Sequence, residues 1–296
     1  MIKLNKGLYK VVVLIIVIIS LVYTDLDARE GTIKLKVATS FAPITNIVHN
    51  IGGCNIDLYG IIPEGSDSHT FQPIPSDIRY IADADLIILN GLNLEILIEK
   101  LVDRVKNRDV EILRLGNNTI TKDEWKFGQS FPEKMRATNP HLWNNPAYVM
   151  VYARLIRDKL IELDPENKKY YKKNASLYLE KLDLLDRKIS LAIKTIPEKK
   201  RRLLTYHDSF AYFADRYGIG IIGAIQPADF SNPSAKEVRR IIDQIKRDNI
   251  PAIFGSEVFP SKILKQIGRE GKVKWIRTLR DDDLPGKSGE PIHILV

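Results

Sequence analysis

The sequence predicts an α/β protein in which parallel sheets are covered by helices on both faces. Short apolar, β-branched runs alternate with helix-like stretches along most of the chain, and this alternation is typical of parallel sheets. Four of the runs lie before residue 120 and four after residue 200, with a long helical stretch between them. Because the 296 residues are roughly twice the length of a typical domain, we expect two α/β units.

Eight strands are predicted from apolar runs rich in Val, Ile and Leu. They cover Ile33–Thr39, Ile56–Ile62, Leu86–Asn90, Val110–Leu115, Leu203–Tyr206, Ile219–Ile225, Ala252–Gly255 and Val273–Leu279. Helices are predicted after most strands, where residues that favour helix starts, such as proline and serine, precede apolar residues at helical spacing. Examples are Pro75–Ala84, Leu92–Lys106, Pro233–Asp248 and Ser261–Glu270.

Two further helices are predicted between the two groups of strands. The first covers Ala147–Leu163 and is stopped by Asp164-Pro165, and the second runs from about Glu166 to Ile196. The second helix has apolar residues at helical spacing, at Leu177, Leu179, Leu182, Leu184, Leu185, Ile189 and Ile193. Roughly 30 residues span about 45 Å, more than one small sheet needs, so this helix is predicted to connect two lobes. The expected organisation is an N-terminal lobe at 31–165, a connecting helix at 166–196 and a C-terminal lobe at 200–296.

The composition excludes several classes of protein. Hydrophobic residues make up 44% and charged residues 28%, which excludes a disordered or collagen-like chain. The only cysteine, Cys54, excludes an intramolecular disulfide framework and a cysteine-rich zinc module, and we expect it to be a small packed residue. The net charge of +8 is mild. Basic clusters such as Lys199–Arg202 lack interleaved aromatic residues, so nucleic-acid binding is not expected.

Residues 1–28 are predicted to be a secretory signal or an N-terminal anchor. Three lysines precede an apolar run from Val11 to Tyr23, and a polar stretch then ends at Ala28. A membrane-spanning helix needs about 20 residues, which is more than this run provides. We therefore expect an extracytoplasmic protein, in the periplasm or at the outer face of the cytoplasmic membrane. Because no cysteine lies near Ala28, we expect no lipobox cysteine.

Polar residues follow several predicted strands, at the edge where open α/β sheets bind their ligands. His69 follows the second strand, His141 precedes a helix, His207 directly follows the fifth strand, and Asp281–Asp283 follow the last strand. Each candidate comes from a different strand–helix unit, two from each half, which suits a site between two lobes. Three imidazoles and one carboxylate form a complete tetrahedral set for zinc, although each histidine taken alone better fits a solvated loop residue or a satisfied helix cap.

Five longer motifs, in order along the chain, resemble those of a known family. They are GSDSHTFQPIPSDIRYIADADLIILNGLNLE at 65–95, NPHLWNNP at 139–146, TYHDSFAYFADRYGI at 205–219, NPSAKEVRRIIDQIKRDNIPAIFGSE at 232–257 and DDDLPGKSGEP at 281–291. In these motifs the chain resembles the zinc- and manganese-binding extracytoplasmic solute-binding proteins of metal ABC transporters. The resemblance covers roughly Lys34 to Gly289.

The resemblance implies two α/β lobes joined by one long rigid helix, with a metal site in the cleft. Carried over residue by residue, the metal ligands are His69, His141, His207 and an aspartate. Asp282 fits the family pattern of aspartate, small residue and aliphatic residue best, with Asp281 and Asp283 as alternatives. The resemblance also implies a monomer without enzymatic activity. The resemblance further implies that the protein captures a divalent metal ion and delivers it to an ABC permease membrane subunit, which works with a cytoplasmic ATPase.

The choice of metal follows from the ligand types. Three nitrogen donors and one carboxylate favour zinc, and so does His207, which stands where manganese-type relatives often have glutamate. Manganese or iron(II) is the alternative. The segment 117–139 contains no histidine, so the histidine-rich loop of many zinc-specific relatives is not expected. The family continues past the last ligand loop with a C-terminal helix, whereas this chain ends at Val296, so we expect a shortened second lobe.

Other interpretations remain open on the sequence alone. A zinc hydrolase would use Asp208 or Glu257 as general base, but it needs an open metal position and the sequence has no H-E-x-x-H motif. A non-functional copy or a surface adhesion protein is a third possibility. The G-x-G-x-x-G pattern at Gly218–Gly223 follows a helix and is itself strand-like, which disfavours nucleotide binding.

Several single residues are given provisional roles. Trp143 and the aromatic residues of Phe210–Phe213 are expected to pack in the core. Glu257 either supports the metal site or is a charge at a helix start. His49 and His293 are expected to be structural or solvated rather than metal ligands.

Overall fold

The computed structural model describes residues 34–106, 109–128, 131, 133–135, 138–227, 230–259 and 261–284. The compact unit that contains both sheets begins at Leu35. The predicted signal at 1–28, His293 and the predicted shortened end after Leu284 lie outside the described residues. Among the residues described, no helix is long and apolar enough to cross a membrane.

The first sheet has four parallel strands in the order β2-β1-β3-β4. Its strands are β1 (Leu35–Thr39), β2 (Ile56–Gly60), β3 (Leu86–Leu89) and β4 (Glu111–Arg114). The four residues of β3 are all buried, as expected for an interior strand that helices cover on both faces. The edge strands β2 and β4 keep a partly exposed pattern.

The second sheet repeats this topology, with four parallel strands in the order β6-β5-β7-β8. Its strands are β5 (Arg202–Thr205), β6 (Gly220–Ala224), β7 (Ala252–Gly255) and β8 (Trp275–Thr278). The prediction of an α/β fold with two parallel sheets is confirmed. Because all strands within each sheet run parallel, the loops after them leave the sheet at one edge.

Eight α-helices lie in the described part of the chain. They are α1 (Ala42–Gly52), α2 (Pro75–Asp83), α3 (Ile96–Val105), α4 (Pro146–Leu163), α5 (Lys168–Lys194), α6 (Ala211–Tyr217), α7 (Ala235–Arg247) and α8 (Ser261–Gly271). Two separate hydrophobic cores form around the sheets. The larger core joins the first sheet to α1, α4 and α5, and the smaller core joins the second sheet to α7 and α8.

The long connecting helix α5 has 27 residues, and the helix before it, α4, ends at Leu163 directly before Asp164-Pro165, as predicted. The buried stripe of α5 differs from the prediction. The buried side chains are Tyr171, Ala175, Tyr178 and Leu182, whereas the predicted core residues Leu177 and Leu184 are exposed. The buried residues follow a spacing of four, three and four, so Tyr171 and Tyr178 share one face of the helix with Leu182, which the prediction included. The predicted lobe boundaries at 165, 166–196 and 200 stay a prediction.

Two further local predictions are wrong. The helix predicted from Leu92 begins only at Ile96, because Leu92 and Asn93 adopt left-handed backbone angles with φ of 56° and 63°. Those angles form a turn that a helix cannot contain. Cys54, predicted to be packed, is exposed because it lies in the short 3₁₀ turn between α1 and β2.

Candidate metal centre

The four predicted ligands all lie in loops that follow strands of the two sheets. His69 lies in the loop between β2 and α2, and His141 lies between β4 and α4. His207 follows β5 by two residues, and Asp282 follows β8. The two sheets each contribute two of these loops, so the four side chains meet between the two sheets.

The structure brings one donor atom of each residue within 4.8 Å of every other. The Nε2 atom of His141 lies 3.2 Å from Nε2 of His69 and 2.9 Å from Nε2 of His207. Its distance to Oδ1 of Asp282 is 3.9 Å. Four donors placed about 2.0–2.2 Å from one tetrahedral zinc ion would be roughly 3.3–3.6 Å apart. The three measured spacings of 2.9, 3.2 and 3.9 Å lie on either side of that range.

Hydrogen bonds on the opposite ring nitrogens fix two of the imidazoles. Nδ1 of His141 lies 2.7 Å from Oδ1 of Asn139, which also accepts the backbone N–H of His141. The amide nitrogen of Asn139 donates to the carbonyl of Asp208, which identifies Oδ1 as the acceptor. Nδ1 of His141 therefore carries the proton, and its Nε2 presents a lone pair to the site.

The same arrangement holds for His207. Its Nδ1 lies 2.7 Å from Oε1 of Gln226, whose amide nitrogen donates to the carbonyl of Phe230. Nε2 of His207 is thus unprotonated as well. Two imidazole lone pairs facing each other at 2.9 Å repel unless a cation or a shared proton lies between them.

The charges of the site residues also suit a cation. Burial lowers the pKa of His69 and of His141 well below the ordinary histidine value, with a further contribution from His207. Burial likewise lowers the pKa of His207, so burial favours the neutral form of all three rings. Burial, followed by the repulsion of Asp281, raises the pKa of Asp282 well above its ordinary value. A cation at this point would favour the ionised carboxylate.

Of the three consecutive aspartates, only Asp282 faces the histidines. Asp281 accepts hydrogen bonds of 2.6 Å from the hydroxyls of Ser209 and Ser256, and Asp283 accepts from the backbone N–H of Leu284. Asp282 is buried, and within the described residues neither of its carboxylate oxygens has a hydrogen-bond partner. A buried carboxylate without hydrogen-bond partners is costly, which makes Asp282 a candidate metal ligand.

Sequence reasoning gave Glu257 an open role and missed two aromatic residues. The carboxylate of Glu257 accepts backbone N–H groups from the Asp282 loop, rather than acting as a charge at a helix start. Phe230 stacks on the His69 ring at 4.4 Å, and Phe131 lies 5.8 Å from the same ring. No residue pattern singles these phenylalanines out, because both lie in irregular loops.

The structure also places Trp143, His49 and the glycine-rich segment at 218–223. Trp143 is buried against Phe41, and its indole nitrogen donates to the carbonyl of Asp281. His49 is exposed on α1, away from the three clustered histidines. In the G-x-G-x-x-G segment, Gly218 ends α6 in a left-handed conformation and Gly220–Ala224 forms β6, so the pattern does not open a helix as a phosphate loop would.

A family model described as zinc-uptake complex component A, periplasmic, matches residues 37–290. The chain belongs to this family. It is a metal-binding, extracytoplasmic substrate-binding protein of an ABC transporter, and it works with a permease and an ATPase. Members of the family are solute-binding proteins, so the zinc hydrolase considered from the sequence is excluded.

Curated relatives are named for different metals. The manganese ABC transporter substrate-binding lipoprotein PsaA of Streptococcus anginosus is 30% identical, and the match covers 98% of this chain and 96% of PsaA. The iron-binding protein YfeA of Yersinia pestis is 31% identical over 86% of this chain and 80% of YfeA. Divalent metal binding is therefore a family property, whereas the metal differs among relatives.

A solved structure has the same fold. The Mn-bound periplasmic metal binding protein from Candidatus Liberibacter asiaticus is 27% identical, with a TM-score of 0.77. The superposition covers 88% of this chain and 94% of that chain. The predicted two-lobed architecture with a long connecting helix is thereby confirmed.

The predicted localisation needs one correction. Several relatives are named lipoproteins, which implies a lipobox cysteine and anchoring to the membrane. These names contradict the expectation of a family without a lipobox cysteine, although Cys54, after α1, is the only cysteine of this chain. The extracytoplasmic location is supported.

Proposed function

We propose that this chain captures zinc outside the cytoplasmic membrane and delivers it to its ABC permease, with His69, His141, His207 and Asp282 as the ligands. The convergence of four donor atoms within 4.8 Å is the main support. The hydrogen bonds that leave Nε2 of His141 and His207 unprotonated add to it, because a metal needs those lone pairs.

Zinc is proposed over other ions because three of the four donors are imidazole nitrogens. Nitrogen-rich sites suit zinc, whereas manganese prefers oxygen donors and octahedral coordination. The phenyl rings of Phe131 and Phe230 lie beside His69, and these apolar groups disfavour additional water ligands. Capture of manganese or iron(II) by the same ligands is the second candidate, because relatives are named for those metals.

We further propose that the protein binds one ion per chain and acts as a monomer, since one chain supplies all four donors. Calorimetric titration of the metal-free protein with zinc and with manganese tests both the stoichiometry and the choice of metal. We expect one zinc ion per chain and tighter binding of zinc. Tighter binding of manganese would overturn the choice of metal, and two chains per ion would overturn the monomer.

The ligand set is tested by His141→Ala, with His49→Ala as the matched control because His49 is exposed on α1. Loss of one of four ligands should weaken zinc binding by more than about 100-fold, beyond the effect typical of residues that only orient a ligand. The control should bind zinc as the wild type does. Unchanged affinity of His141→Ala would overturn the proposed site.

A further inference from the structure

Glu257 lies just after β7 and points its carboxylate at the loop that carries Asp282. Its Oε1 atom accepts three consecutive backbone N–H groups, at 3.2 Å from Asp281, 3.1 Å from Asp282 and 2.8 Å from Asp283. Its Oε2 atom lies 3.3 Å from the same nitrogen of Asp281. One side chain therefore holds the backbone on both sides of the proposed ligand.

The Asp282 side chain needs such support. Within the described part of the chain, its carboxylate oxygens accept no hydrogen bond, so no neighbouring side chain orients it. Its direction toward the histidines is set by the backbone angles of the loop. Those angles are fixed where the N–H groups are held, and a single oxygen of Glu257 holds three of them.

A second set of hydrogen bonds restrains the loop at Asp281 rather than at Asp282. The Asp281 carboxylate accepts from Ser209 and Ser256, and this ties the start of the loop to the ends of β5 and β7. In contrast, Glu257 accepts the backbone N–H of Asp282 itself. The direct contact with the ligand residue distinguishes Glu257 from the side chains that only anchor the loop.

We propose that Glu257 is a positioning residue that fixes the Asp282 carboxylate against the three histidines and so slows release of the bound metal. This inference rests on the proposed function, because it requires Asp282 to be a metal ligand. Glu257 is expected to affect how long the metal stays bound. Without its hydrogen bonds the loop can move Asp282 away from the metal while the three histidines still bind the ion.

The test is a double-mutant cycle on the rate of zinc release. Zinc-loaded wild type, Glu257→Gln, Asp282→Ala and the double variant are mixed with a chromogenic chelator in a stopped-flow instrument. Glu257→Gln should release zinc on the order of 10-fold faster, in the range known for residues that support a metal ligand. In the Asp282→Ala background the same change should have no further effect, because it acts through Asp282. Glu270→Gln, on the exposed end of α8, is the matched control.

The outcomes separate this inference from the proposed function. If Asp282→Ala weakens zinc binding but Glu257→Gln releases zinc at the wild-type rate, the inference is wrong and the proposed function stands. An equal acceleration in both backgrounds also overturns the inference, since it indicates a general loss of structure. If Asp282→Ala leaves zinc binding unchanged, both proposals fall. Thermal unfolding of the metal-free variants checks their folding, and Glu257→Asp replaces Glu257→Gln in the cycle if the latter does not fold.

Discussion

The ring nitrogens of His141 and His207 are oriented for a cation by their hydrogen bonds to Asn139 and Gln226. In each pair the amide oxygen accepts a hydrogen bond from the protonated Nδ1, so Nε2 of the same ring carries a free lone pair. The two bare nitrogens lie 2.9 Å apart, a contact that a positive ion between them would make favourable. Neutral imidazoles with low pKa values can accept a metal at neutral pH without first losing a proton.

His207→Glu is expected to shift the metal preference toward manganese. The change replaces a nitrogen donor with a carboxylate oxygen, which the harder ion prefers. Competition titrations should show a zinc-to-manganese affinity ratio lowered by roughly 10-fold or more, with His49→Glu as the control on exposed α1. An unchanged ratio would mean that the ligand type at this position does not set the preference.

Among the elements, α5 shows how a long helix is held along one narrow stripe. Leu182 is 1% exposed and lies in the larger core, whereas Leu191 is 66% exposed on the same helix. Leu182→Ala should lower the free energy of unfolding by about 2–5 kcal/mol because it leaves a cavity. Leu191→Ala should change it by less than about 0.5 kcal/mol. Urea denaturation measures both, and equal effects would contradict the assigned face.

The turn between β3 and α3 contains a buried carboxyl group that makes stability depend on pH. Glu95 accepts the backbone N–H groups of Asn90 and Gly91, and burial raises its pKa to about 7. The folded protein therefore holds a proton that the unfolded chain loses near pH 4.5. The stabilising contribution of Glu95 is complete below pH 4.5 and is lost as the pH rises through 7. Over this range the free energy of unfolding falls by about 3 kcal/mol.

Glu95→Gln tests that dependence, since the amide does not titrate. Denaturation of the wild type and the variant is compared at pH 5 and pH 8, so that effects of the histidines cancel in the difference. The stability gap between the two proteins should change by up to about 3 kcal/mol, with the wild type losing more at pH 8. Parallel pH profiles would show that Glu95 does not titrate in this range.

The sequence predicts the elements whose signals lie in neighbouring residues, and it does not predict contacts between residues that are distant along the chain. Strand positions agree within about two residues, because apolar runs bounded by polar turns are local signals. The helix predicted from Leu92 fails because the chain makes a left-handed turn at Leu92 and Asn93, which the preceding Asn90-Gly91 pair could have indicated. The buried tyrosines of α5 were missed because its apolar face was predicted from the positions of leucine and isoleucine alone. The contacts of Gln226 and Phe230 with the histidines depend on long-range folding and have no local signal.

At the scale of the whole molecule, hydrogen bonds join the two sheets' loops beside the candidate metal centre. The indole of Trp143, which precedes α4, donates to the carbonyl of Asp281 after β8. Asn144 donates to the carbonyl of Ser209, and Arg216 of α6 pairs with Asp186 of α5. The arrangement that brings the four donors together therefore depends on contacts between parts of the chain that are distant in sequence.

Trp143→Phe should speed zinc release while leaving the fold intact. The phenyl ring keeps an aromatic contact with Phe41 but cannot donate to Asp281. Loss of one neutral hydrogen bond of about 1 kcal/mol corresponds to roughly 5-fold faster release. Stopped-flow chelation measures the rate, with Trp125→Phe as the control. A release rate equal to that of the wild type would show that this bond does not hold the Asp282 loop in place.

The most direct test of the account is a crystal structure of the zinc-loaded protein with anomalous data at the zinc edge. We predict one strong anomalous peak about 2.0–2.2 Å from Nε2 of His69, His141 and His207 and from a carboxylate oxygen of Asp282. A peak bound elsewhere, or one that lacks any of these four side chains among its ligands, would contradict the central claim.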